Sequence, residues 1–137
     1  MNDPKFAVEL LKLTRHCRGI DKYVSSRAAL TIDEMHCLSA LFSDHPSSVK
    51  RLSELINVSS TRASKILKDL ELRGFVSRTL DAADRRKENV VLTESGTHVI
   101  QEILSLYNEV GSELLSTWRT ELKSDFSWLL QTVAQTK

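Results

Sequence analysis

Glycine, proline and cysteine are scarce: the 137 residues include 4 Gly, 2 Pro and 2 Cys. So little glycine and proline excludes long disordered or low-complexity tracts, and no internal repeat is visible. The two cysteines, Cys17 and Cys37, are too few for a disulfide framework and lack zinc-motif spacing. No run of about 18 apolar residues exists, so no membrane-spanning helix is expected. The opening stretch "MNDPKFAVELLKLTRHCRG" scatters acids and bases among its apolar residues, unlike a secretory signal. A reduced, cytoplasmic protein is expected, with no cofactor and no metal site. A phosphate-cradling glycine loop, a nucleophile elbow and a zinc-protease helix motif are all missing, so no enzyme is expected. Asp81 and Asp84 do not make an acid pair, because both should stay ionised on an exposed cationic tip.

An apolar fraction of 41% supplies a core for one domain spanning residues 1–137. Net charge is +1 and says nothing of partners by itself. Its distribution is more telling. Residues 1–47 hold six Lys/Arg and six Asp/Glu, residues 48–90 ten and six, and residues 91–137 three and six. The positive charge belongs to the middle third, where an anionic partner should be sought.

The spacing predicts a first helix from Pro4 to about Arg27, since proline suits a helix start. Phe6, Leu10, Leu13, Cys17, Ile20 and Val24 form a seam at alternating steps of four and three, which must face something. Thr31 is placed to cap a second helix, with Asp33 and Glu34 in its first turn and Met35, Leu38 and Leu41/Phe42 inward. After the "SDHPSS" loop, a third helix is expected over about Val49–Asn57 and a fourth, capped by Ser59, over about Ser60–Arg73. The fourth helix turns Ala63, Ile66, Leu67 and Leu70 inward, and Gly74 sits where a left-handed cap is expected. "FVSRTLD" and "ENVVLT" read as a hairpin around the tip "AADRRK". Thr93 caps a long fifth helix, and a last helix covers about Glu121–Gln135. The fold class is mainly α (α+β): a winged helix-turn-helix with a two-stranded wing and helical N- and C-terminal regions.

The second helix of such a unit enters a DNA major groove by its N-terminal end. Ser59 caps that end, and its outward positions are Ser60, Thr61, Arg62, Ser64, Lys65 and Lys68. Hydroxyls and helix N-terminal amides bind phosphates, Arg62 offers a fork to guanine, and Lys65 and Lys68 suit phosphates. Alone, this is equally an ordinary solvated helix face. The tip tilts the balance, because Arg85, Arg86 and Lys87 repel one another and bury little, yet suit a minor groove. Asp84 would brace that wing.

The segment Asp81-Ala82-Ala83-Asp84-Arg85-Arg86, followed by Val90, Leu92, Thr93 and Gly96, resembles the wing of the MarR-type winged-helix regulators, D-P-x-D-R-R-x-x-x-V-x-L-T-x-x-G. Ala82 stands where that pattern has proline. "LSELINVSSTRASKILKDLELRGFVSR" is similar to the family's recognition segment and its run into the wing. The resemblance is strong over about residues 31–100 and rests on helix layout at both ends. It implies a homodimer whose terminal helices, 4–28 and 94–136, intertwine while two lobes, 31–93, read a pseudo-palindrome with half-sites roughly 10–10.5 bp apart. It further implies that Arg86 enters the minor groove and that Asp84 braces the wing. The expected function is a sequence-specific transcription regulator, a repressor released by a small ligand or an oxidant. A winged-helix protein-interaction module and a non-specific architectural DNA binder are the alternatives.

The pairs "RHC" and "MHC" place His16–Cys17 and His36–Cys37 on neighbouring helices, a pattern open to redox or soft-metal sensing. The competing reading is packing, because Cys17 lies on the first helix's apolar stripe and Cys37 adjoins the second's. The placement also differs from the peroxide-sensing branch of the family. A ligand pocket between the terminal helices and the lobe would draw on His16, Met35, His36 and Tyr107. Trp118 and Trp128 are expected at the dimer interface.

Overall fold

The computed structural model describes residues 3–46, 48–80, 82–84, 88–116 and 120–136. The order is α1 (Pro4–Ala28), α2 (Ile32–Ser43), α3 (Val49–Ile56), α4 (Ser60–Leu72), β1 (Val76–Leu80), β2 (Glu88–Leu92), α5 (Glu94–Leu115) and α6 (Thr120–Gln135). The sequence announces most of these starts chemically. Asp3, Ser48, Ser59 and Thr93 each accept a hydrogen bond from a first-turn amide, satisfying a donor the helix cannot. Thr31 goes further: its hydroxyl accepts from Glu34 N at 3.1 Å while the Glu34 carboxylate accepts from Thr31 N at 2.9 Å.

The core gathers Val24, Met35, Cys37, Leu38, Leu52, Leu67, Leu70, Val76, Ile100 and Ile103, drawn from α1, α2, α3, α4, β1 and α5. All four inward positions expected on the fourth helix, Ala63, Ile66, Leu67 and Leu70, are buried. α1 behaves differently along its length. Val24 is buried and Ile20 half-buried, but Phe6, Leu10 and Leu13 are 62%, 49% and 52% exposed and Cys17 is exposed. The expected packing of Cys17 is therefore not met among the described residues of one chain, where the stripe along the N-terminal half of α1 stays exposed. On α6, Leu122, Trp128, Leu129 and Val133 are likewise exposed. Trp118 lies outside the described residues. Among the described residues no helix is long and apolar enough to cross a membrane.

Helix α4 ends in a left-handed turn. Gly74 has φ +78°, its amide donates to Glu71 O at 2.9 Å, and Phe75 N donates to Leu70 O at 3.0 Å. The chain then enters an antiparallel pair whose register runs from Val76↔Leu92 to Leu80↔Glu88.

Candidate nucleic-acid interface

Helices α3 and α4 meet at a tight turn, in which Asn57 takes a left-handed conformation (φ 58°) as the cap of α3. This turn leaves the N-terminal end of α4 on the surface. Ser59, Ser60, Thr61, Arg62, Lys65 and Lys68 are exposed, and Ser64 is half-buried rather than fully outward, since it lies one residue from buried Ala63. Arg62 is already engaged. Its Nε and NH2 donate to a single oxygen of Asp33, at 2.7 and 2.6 Å. The sequence reading made Arg62 a fork for guanine and Asp33 only a favourable charge at a helix start. In the fold the two meet across 29 positions, so α4 is latched to the start of α2.

The base of the wing is locked to the start of α5. Thr93 donates from its hydroxyl to Gly74 O at 2.6 Å and from its amide to Phe75 O at 3.1 Å, while that hydroxyl accepts from Gly96 N at 3.0 Å. A Cβ on Gly96 would stand 1.9 Å from Phe75 O. The Thr-x-x-Gly of the motif thus has a physical role: the cap of α5 is also the clamp on the α4–β1 turn. Further along the wing, Arg78 donates to Glu88 Oε2 from NH2 at 2.5 Å and from Nε at 3.2 Å, bracing the two strands diagonally. Asp84 is half-buried. Arg85, Arg86 and Lys87, the expected minor-groove residues, lie outside the described residues, as does Asp81.

Arg73, left without a role in the sequence reading, joins three elements. Its NH2 donates to Ala29 O at 3.2 Å, NH1 lies 3.5 Å from the buried Glu34 carboxylate, and the guanidinium stacks 5.0 Å from the Phe75 ring. One side chain therefore ties the end of α4 to the α1–α2 corner.

A cleft of about 250 Å³ opens where α1, α2 and α5 converge, and Met35, His36 and Tyr107 line it as expected. His16 does not join them; it borders a separate hollow with Tyr23 and Val110. The residue missed was Asp21. Tyr107 OH donates to its Oδ1 at 2.5 Å, and His36 Nε2 stands 3.3 Å from its Oδ2. The signal was present, because Asp21 follows Ile20 and precedes Val24 by three positions, placing a carboxylate on the inward side of the helix. Burial, the hydrogen bond to Asp21 and that residue's charge push the Tyr107 hydroxyl well above its ordinary range. The thiol of Cys37 is pushed up to about 12 by burial and by the Glu34 charge. At neutral pH it is a packed thiol rather than a reactive thiolate. Among the described residues no three His, Cys, Asp or Glu side chains converge as metal ligands would.

A helix-turn-helix followed at once by a two-stranded hairpin and flanked by longer helices defines a winged-helix protein. Comparison with known proteins narrows the class. The profile of the MarR family matches residues 30–87. The chain is 30% identical over 101 residues to YwoH, an uncharacterised HTH-type transcriptional regulator of Bacillus subtilis, covering 74% of this chain and 71% of that one. It spans about half the length of the other curated relatives it matches. Its fold is similar to that of a MarR family protein from Bacillus stearothermophilus, with a TM-score of 0.81, 19% identity, and 98% and 97% of the two chains covered. It is also similar to MepR of S. aureus in a DNA complex (TM-score 0.64, 19% identity, 93% and 98% covered). A third likeness is BpsR of Bordetella bronchiseptica, described with regulation of its DNA binding by 6-hydroxynicotinic acid (TM-score 0.74, 18% identity, 96% and 94% covered). The chain belongs to the MarR family.

Proposed function

We propose that the protein is a sequence-specific DNA-binding transcription regulator that occupies a pseudo-palindromic operator as a homodimer. The observation that carries this reading is the rigid joint between α4 and the wing. The Gly74 turn, the Thr93 clamp and Gly96 hold a hydroxyl- and lysine-bearing helix end and a hairpin at one fixed angle. In this reading residues 31–93 form the reading lobe. Ser59, Ser60, Thr61, Ser64, Lys65 and Lys68 position the helix on phosphates, Arg62 reads a base after leaving Asp33, and Arg85, Arg86 and Lys87 follow the adjacent minor groove behind Asp84.

Residues 4–28 and 94–136 form the dimerisation region. The exposed stripe of α1 and the exposed apolar face of α6 exceed what one lobe covers, and a second copy supplies the missing neighbour. The regulator represses by occupying a promoter. A small ligand in the α1–α2–α5 cleft changes the spacing of the two lobes and releases it. BpsR, whose DNA binding answers to a small molecule, supports that mode by analogy. Oxidant release has less support, because Cys37 is buried and held as a thiol.

Selection of preferred duplexes from a random pool tests the reading. A palindromic winner with half-sites roughly 10–10.5 bp apart is expected, bound with an affinity that falls steeply with salt and is weakened by Arg86→Ala. Failure to enrich any sequence would overturn it.

A further inference from the structure

The walls of the α1–α2–α5 cleft specify a charge. Its floor is apolar, built from the buried side chains of Met35, Ile100 and Ile103. One formal charge lines it, the carboxylate of Asp21, whose side chain is 27% exposed. No lysine or arginine lines the cleft among the described residues. Each Asp21 oxygen already accepts one hydrogen bond, from Tyr107 OH and from His36, and each keeps a further acceptor site. Beside that carboxylate lies the Tyr107 ring, a face that attracts cations, and the polarisable thioether of Met35.

We propose that this cleft binds a small organic cation, an ammonium group carried on a single-ring apolar body. The proposal rests on the effector-site reading above and adds its ligand class. An ammonium donates to the open acceptor sites of Asp21, displacing His36 from Oδ2, while its ring lies on Ile100 and Ile103. A carboxylate or phosphate ligand would meet the Asp21 charge with no lysine or arginine among the described wall residues to offset it. A volume of about 250 Å³ lies just below the usual range of drug-sized pockets, which limits the ligand to one ring.

The test is calorimetric titration of the full chain with benzylamine, benzyl alcohol and benzoate, which share the ring and differ in charge. Benzylamine is expected to bind about tenfold or more tightly than either of the others. Asp21→Asn should abolish that preference, and Tyr107→Phe, which keeps both ring and carboxylate, should retain it. Four outcomes would overturn the proposal: benzoate binding as tightly as benzylamine, no saturable benzylamine binding, an amine preference that survives Asp21→Asn, or one lost in Tyr107→Phe. The comparison of the three compounds needs no variant, so misfolding of Asp21→Asn would not leave the question open. A parallel duplex-binding measurement separates the two readings. Benzylamine binding that leaves duplex affinity unchanged upholds the ligand class and sinks the regulatory role of the cleft.

Discussion

Substituting Gly96 by alanine should do more damage than its place near a helix start suggests. The new methyl carbon would lie 1.9 Å from Phe75 O, and real contacts of this kind do not fall below 3.0 Å. The start of α5 must therefore retreat from the α4–β1 turn by roughly 1 Å, and the obstacle is backbone rather than a side chain that could swing away. Two hydrogen bonds span that gap, Thr93 Oγ1 to Gly74 O and Thr93 N to Phe75 O, and a third, Gly96 N to Thr93 Oγ1, holds the cap from which they start. At about 0.5–1.5 kcal/mol net each, their loss or stretching costs roughly 2–4 kcal/mol. At about 3–4 °C per kcal/mol for a chain of this length, the melting temperature should fall by roughly 6–15 °C. Circular dichroism melts at matched protomer concentration measure it, since a dimer's stability depends on concentration. Gly74→Ala is the internal comparison. Its φ of +78° strains any side chain, but nothing lies within 4 Å of the added carbon, so only the left-handed cost of about 1–2 kcal/mol applies. A Gly96→Ala protein melting within ~2 °C of the parent, less than one lost hydrogen bond would give, would refute the clamp.

The latch on α4 predicts an unusual gain. Asp33→Asn should release Arg62 and tighten duplex binding by up to about fivefold, the worth of an exposed ion pair of ~0.2–1 kcal/mol. Fluorescence anisotropy at fixed salt reads this, and unchanged or weaker binding counts against the latch. With the exposed Cys17 replaced by serine, Cys37 should resist thiol reagents in the folded protein and react only on unfolding in urea; prompt native labelling of that variant would show that Cys37 is not packed. The raised Cys37 pKa gives a stability contribution that is full below the ordinary value of 9.0 and lost as pH rises toward about 12. Cys37→Ala should flatten alkaline destabilisation in that window when urea midpoints are compared. Ala29 caps α1 at φ 54°, a left-handed conformation that costs a non-glycine residue about 1–2 kcal/mol. Ala29→Gly should therefore stabilise the protein by about 0.5–1 kcal/mol after the added freedom of the unfolded chain is subtracted, measured as a shift in urea midpoint.

Local chemistry was legible in the sequence wherever one residue acts on its near neighbours. Thr31, Ser59 and Thr93 stand where caps belong, Gly74 sits at its left-handed turn, and Ala63, Ile66, Leu67 and Leu70 recur at helical spacing and are all buried. Contacts made across long stretches of chain were not legible. Asp33 and Arg62 are 29 positions apart, Arg73 and Ala29 are 44 apart, and Asp21 and Tyr107 are 86 apart. Nothing in periodicity reports on such pairs, because they are set by how helices cross rather than by how each one winds. The same limit separates His16 from His36. Each directly precedes a cysteine, yet α1 carries His16 to a different hollow.

Helix α5 connects the two halves of the proposed mechanism as a single rod. Near its start, Thr93 and Gly96 clamp the turn from which the wing emerges. About 21 Å further along, at the rise of an α-helix, Tyr107 reaches Asp21 on α1. In the proposed mechanism a ligand on Asp21 displaces His36 of α2 while Tyr107 keeps its bond, and α5, tied to α1, can then shift against α2 only as a body, because its own backbone bonds resist bending. The Gly96 contact leaves no slack at the other end, so a displacement there must be passed to the α4–β1 turn and to the angle between recognition helix and wing. Arg73 bears on the same turn from the opposite side, through Ala29 O and the Glu34 carboxylate. The joint is therefore held between α5 and the α1–α2 corner, the same elements that enclose the cleft. A ligand need only favour one spacing of those elements to favour one geometry of the reading surface.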